Sequence, residues 1–105
     1  MVGQPERSSR NWASMSDDVG FQLRISAEAE DDLSRLDKSV AQRIARKLIW
    51  LSHNARKYPH IGLTGDLAGL FRYRVGDYRV IYDLRPADEL LIVVRIGHRR
   101  DIYEK

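Results

Sequence analysis

The chain has 105 residues, 43% hydrophobic and 31% charged, which suits one globular domain and leaves no room for a dinucleotide fold or a second catalytic domain. It has no cysteine, which excludes a disulfide scaffold, a thiolate zinc site and a cysteine nucleophile, and its longest apolar run, Leu90 to Val94, is far short of the ~18–20 residues that span a bilayer. Eighteen Lys and Arg against 15 Asp and Glu give a net charge of +3, too mild to define a nucleic-acid binder, so the placement of the cations carries the information.

Residues 1–20 hold Gly3, Pro5, Ser8, Ser9, Ser14, Ser16 and Gly20 without apolar periodicity, and predict a flexible extension that lacks the apolar core of a signal peptide. The domain is expected over residues 21–105. Phe21 to Ile25 alternates apolar and polar, as a half-buried strand does. Ser26 then stands where a helix N-cap belongs, and Glu28, Glu30, Asp31 and Asp32 fill the first turns, where the helix dipole favours anions. Ala29, Leu33, Leu36 and Val40 recur at helical spacing. After a turn near Asp37-Lys38-Ser39, a second helix carries the stripe Val40, Ile44, Leu48 and Leu51, with Arg43, Arg46, Lys47 and Arg56 off it. His53 to Gly69, with Pro59, Gly62, Gly65 and Gly69, reads as a connection. Three strands follow: Leu70 to Val75, Tyr78 to Leu84, and Leu90 to Ile96, the last a buried central strand. The layout is α+β, an antiparallel sheet of about four strands with two N-terminal helices on one face.

The hairpin permits a sharper deduction. With Gly76-Asp77 as a two-residue type II′ loop, Val75 pairs with Tyr78, Arg74 with Arg79, Tyr73 with Val80, Arg72 with Ile81 and Phe71 with Tyr82. Opposed residues share a face. Phe71, Tyr73, Val75, Tyr78, Val80 and Tyr82 therefore form an apolar face for the helices, while Arg72, Arg74 and Arg79 form the other. Opposed like charges cost roughly a few tenths to 1 kcal/mol, so the Arg74–Arg79 pair asks for a function. A second loop symmetric about Ala87 would place Arg95 opposite Arg79, with Arg99 in the same parity. Such a face suits a phosphodiester backbone, and Tyr103 a stacked base.

Other candidates are weaker. His98 is a candidate base or hydrogen-bond partner beside arginines. His53 and His60 read as ordinary surface residues. The three histidines lack metal-ligand spacing, so no metal and no cofactor are expected. The acid cluster at Glu28, Glu30, Asp31 and Asp32 is accounted for by its place in the first turns of a helix.

Two stretches carry a family resemblance: Leu63-Thr64-Gly65-Asp66-Leu67-Ala68-Gly69-Leu70-Phe71-Arg72-Tyr73-Arg74-Val75-Gly76-Asp77-Tyr78-Arg79-Val80-Ile81-Tyr82, and Ile96-Gly97-His98-Arg99-Arg100-Asp101-Ile102-Tyr103. Together they resemble the RelE/ParE toxin superfamily, over about residues 21–105. The resemblance implies a small ribonuclease-like fold, and the toxin half of a type II toxin–antitoxin pair acting in the cytoplasm. It implies a metal-independent endoribonuclease that cleaves mRNA in the ribosomal A site through the RNA 2′-hydroxyl. Its partners would be a cognate antitoxin, the ribosome and mRNA, with operator DNA bound through the antitoxin. By the same resemblance Arg79, Arg99 and Tyr103 are catalytic and Arg72 and Arg74 bind RNA; His98, from its place beside the arginines, is grouped with the RNA-binding residues. The chain has Arg72 and Arg74 where the RelE type often has lysines, and arginine does not serve as a base. The alternative within the superfamily is a ParE-like toxin that inhibits DNA gyrase by binding.

Overall fold

The computed structural model describes residues 20–102. The expected extension, apart from Gly20, and Tyr103 lie outside the described residues. Strand β1 (Gln22–Ile25) leads into α1 (Ala27–Ser34) and α2 (Lys38–His53), followed by β2 (Ile61–Gly62), β3 (Phe71–Val75), β4 (Tyr78–Arg85) and β5 (Leu90–His98). The sheet is five-stranded, in the order β1-β5-β4-β3-β2. Its pairs are antiparallel except β1–β5, which is parallel. The expected count of about four strands is thus raised by β2, whose two residues are too few to show a period. After β1 the two helices carry the chain across the sheet to β2 at the opposite edge, and β5 then comes to lie parallel beside β1.

Ser26 caps α1 as its residue type predicts. Its Oγ accepts Ala29 N–H at 3.1 Å and donates to the Val94 carbonyl at 3.0 Å, tying the helix start to β5. On α2 the predicted stripe is the buried one, with Ile44, Leu48 and Leu51 fully buried against Tyr73, Val75, Val80, Tyr82, Leu91, Val93 and Ile96. Gly20 passes against the end of α2 so closely that a Cβ would lie 2.3 Å from the Ser52 carbonyl oxygen. That approach is open only to glycine, and it lets Phe21 N–H donate to the Ser52 carbonyl at 2.8 Å.

The β3–β4 register is the one the loop length predicts, from Phe71–Tyr82 to Val75–Tyr78. Gly76 has φ +59°, as the first loop position of a type II′ turn requires. The β4–β5 register differs from expectation. Arg85 faces Leu90, so the connection is not symmetric about Ala87, and Val94 is an extra residue between the Tyr82–Val93 and Ile81–Arg95 pairs. Arg79 therefore faces Gly97, and Arg95 faces Ile81. Each irregularity shifts the register by one residue and reverses the facing. The two together restore it, so Arg95 keeps its expected face with a different partner. The bulge also lets Leu91, Val93 and Ile96 all reach the core.

Candidate functional site

The sheet face away from the helices carries Arg72, Arg74 and Arg79. Arg72 and Arg74 are exposed and Arg79 is half-buried. The two β3 arginines stand two residues apart on one strand, roughly 7 Å, and Arg74 is directly opposite Arg79. The Arg79 guanidinium folds back on the hairpin, with Nη1 donating to the Gly76 and Tyr78 carbonyls at 3.0 Å each. This holds the group at the turn. Arg99 joins the same end of the sheet, because its N–H donates to the Asp77 carbonyl at 2.8 Å, one step past the last β4–β5 pair. Arg74, Arg79 and Arg99 are thus gathered around one tight turn, with Arg72 one strand repeat away.

His98 is placed differently. It pairs with Tyr78, on the opposite side of the pleat from Arg79, with its ring edge-on to the Tyr78 ring at 5.6 Å. The Arg100 N–H donates to His98 Nδ1 at 3.2 Å. The neutral ring then carries its proton on Nε2 and presents a donor. Arg95 shares the arginine face but is bound: Asp32 of α1 accepts from its Nε at 2.9 Å and its Nη2 at 3.3 Å. The same carboxylate accepts the Ile96 N–H at 2.8 Å. Burial works against the charge on Asp32, but these bonds and the Arg95 charge outweigh it and hold the carboxyl below its usual 3.8. Asp32 thus has a specific task that the helix-dipole account of the acid cluster does not contain. Asp32, Arg35, Ile81, Arg95, His98 and Ile102 help to line a cavity of about 700 Å³ beside the arginine face. No group of three or more His, Asp or Glu that could hold a metal ion occurs among the described residues, and no described helix is long and apolar enough to cross a membrane.

His60 corrects the sequence reading. It is half-buried, with Nε2 donating to the Ala55 carbonyl at 2.7 Å and Nδ1 meeting the Tyr82 hydroxyl at 2.5 Å. Burial, with Tyr58 and Tyr73 nearby, pushes the Tyr82 hydroxyl well above its usual 10, so the tyrosine keeps its proton and acts as the donor. His60 pins the connection before β2 to the sheet. The signal for it was Tyr82, a buried hydroxyl in need of a partner.

The chain thus places two helices on a mostly antiparallel sheet and gathers arginines around its central hairpin. Residues 23–103 match the family described as the ParE toxin of type II toxin–antitoxin systems, and the chain belongs to that family as a RelE-like toxin. Toxin RelE of Mycobacterium tuberculosis is 32% identical over 89 residues, covering 85% of this chain and 92% of that protein. Toxin RelG of the same organism is 26% identical over 87 residues, covering 81% of this chain and 98% of that protein. Among solved structures, the RelBE2 toxin–antitoxin complex of M. tuberculosis contains a chain that superposes with a TM-score of 0.71 at 26% identity, over 79% of this chain and 95% of that one. A chain of the archaeal RelE–RelB complex from Pyrococcus horikoshii gives 0.63 at 25% identity, over 79% of this chain and 99% of that one.

Proposed function

We propose that this toxin is a ribosome-dependent endoribonuclease that cleaves mRNA in the A site. The observation that carries the reading is the gathering of Arg74, Arg79 and Arg99 around the Gly76-Asp77 turn, with Arg72 adjacent. Arginines contributed by the hairpin and by the residue after β5 form a preorganised site for a phosphodiester. In the reaction the RNA 2′-oxygen attacks the adjacent phosphorus, the bond to the 5′-oxygen breaks, and a 2′,3′-cyclic phosphate is left. Negative charge grows on the phosphoryl oxygens in the transition state, where Arg79 and Arg99 stabilise it. Arg72 and Arg74 hold the flanking phosphates, and one of them neutralises the departing 5′-oxygen. None of the arginines accepts the 2′-hydroxyl proton. His98 offers a donor, which fits binding to RNA and not the role of base. The acceptor is therefore Tyr103 or a ribosomal group, and Tyr103 also orients the substrate base by stacking.

The partner at rest is a cognate antitoxin, a reading supported by the RelB complexes among the structural neighbours. The pair acts in the cytoplasm and reaches operator DNA through the antitoxin. The matched family takes its name from ParE, which keeps gyrase inhibition by binding as the second reading. One comparison separates them: cleavage of mRNA on programmed ribosomes, beside a gyrase supercoiling assay. A-site cleavage lost in Arg79→Ala supports the first reading. Inhibition of supercoiling without cleavage replaces it with the second.

A further inference from the structure

The helix α2 (Lys38–His53) holds four Lys and Arg and no Asp or Glu. Three of these cations, Arg43, Arg46 and Lys47, stand with Trp50 at i, i+3, i+4 and i+7, which is one side of a helix over about 10 Å. All four side chains are exposed, Trp50 by 48%. This side looks along a groove of about 380 Å³ lined by Arg46, Lys47, Trp50 and Tyr73. Tyr73 belongs to the helix-side face of β3, the strand whose other face carries Arg72 and Arg74. At the near end of the stripe, Arg43 Nη2 lies 3.9 Å from where a Cβ on Gly76 would be. The stripe therefore begins at the same hairpin turn around which Arg74, Arg79 and Arg99 are gathered.

We propose that the α2 stripe Arg43-Arg46-Lys47-Trp50 is a second RNA-contact surface, continuous around the hairpin tip with the arginine face, on which three phosphates are neutralised and one base stacks on Trp50. The inference rests on the functional reading above and extends it to the other side of the sheet. Charge selects a polyanion, since the helix offers it no competing carboxylate; Asp77 at the tip is the nearest acid in the sequence of the turn. The positions also decide between RNA and a partner helix. A groove that receives the apolar face of a partner helix is itself hydrophobic, and here two of the four lining residues are cations, Arg46 and Lys47. Cations interleaved with an exposed aromatic are the pattern of single-strand binding.

The test is the affinity of the full chain for a labelled 12-nucleotide single-stranded RNA as a function of salt. Arg46→Gln/Lys47→Gln removes two contacts and reduces the slope of log affinity against log salt by about 1.4, at ~0.7 per contact. Arg43→Gln reduces it by about 0.7 and gives an independent reading if the double variant melts. Trp50→Ala weakens binding about tenfold and leaves the slope unchanged. Slopes that stay at the wild-type value in the Arg43 and Arg46/Lys47 variants overturn the proposal. If Arg72→Gln and Arg79→Ala still alter binding or cleavage in that case, the functional reading survives alone; if they do not, both fall. Poly-glutamate is the competitor control. If it displaces RNA from wild type and not from the Arg46/Lys47 variant, while RNA binding by that variant is otherwise normal, the stripe is an acidic-protein surface and the proposal is wrong.

Discussion

Asp32 belongs to a helix, yet its carboxylate completes the hydrogen bonding of a strand whose neighbour has ended. β1 stops at Ile25, opposite Val93, and beyond it no strand among the described residues pairs with this edge of β5. Asp32 Oδ2 takes the Ile96 N–H at 2.8 Å while holding Arg95 Nε at 2.9 Å. This fixes the stretch of β5 that sets Gly97 against Arg79. Asp32→Ala leaves the buried Ile96 N–H without its acceptor and should destabilise the domain by roughly 1–3 kcal/mol. Asp32→Asn keeps an acceptor and should lose less. The folded-state pKa is depressed. The contribution is therefore present above the ordinary carboxyl value of 3.8 and is lost as pH falls through the lower folded-state value. Denaturant midpoints at pH 7 and pH 3 check this. The wild type should lose more stability than Asp32→Asn over that interval.

The His60–Tyr82 bond predicts an asymmetry. Tyr82→Phe removes the donor from a half-buried ring nitrogen and should cost about 1 kcal/mol. His60→Ala strands the hydroxyl of a fully buried tyrosine and also empties the ring's contacts with Tyr58, Phe71 and Tyr82. It should cost about 2–3 kcal/mol. Thermal melts of the two variants give the order, and an unchanged melt in Tyr82→Phe would mean that the hydrogen bond contributes nothing.

The hairpin was legible because a two-residue loop fixes pairing and pairing fixes faces, so Arg72, Arg74 and Arg79 could be grouped from residue order alone. The α2 stripe was legible from its period. What local pattern could not supply was each relationship set by distant parts of the chain. The parallel place of β1 beside β5 leaves no local mark, and neither does the point where β1 stops, from which the role of Asp32 follows. The Val94 bulge sits inside an apolar run that reads equally well without it. His60 looked like surface because its partner lies on β4, across the whole β2–β3 segment. His98 was grouped with the arginines by nearness in sequence, and its pairing with Tyr78 places it on the other side of the pleat.

Salt dependence tests the arginine face directly. Contacts from Arg72, Arg74, Arg79 and Arg99 to single-stranded RNA should give a slope of log affinity against log salt of roughly −3, at ~0.7 per contact, from these four alone. Arg72→Gln should flatten the measured slope by about 0.7. Arg95→Gln should leave it unchanged, because Arg95 is already engaged by Asp32. A slope near zero for the wild type would rule out an electrostatic site.

Arg79→Ala separates chemistry from folding at one residue. The side chain contributes two hydrogen bonds from Nη1 to the turn carbonyls, a modest stabilisation at a partly exposed site. Its removal also ends the opposition to Arg74, a gain of similar size. The two effects nearly cancel, so the melting temperature should move by no more than a few degrees. Activity should respond very differently. Loss of one group that meets charge developing in the transition state costs about 10²–10³ in rate. The expected variant is therefore folded and non-toxic, still bound by antitoxin and ribosomes, and defective in A-site cleavage by that factor. A variant that unfolds would make Arg79 a turn residue and nothing more. A variant that remains fully toxic would remove Arg79 from the phosphate site and return weight to inhibition by binding.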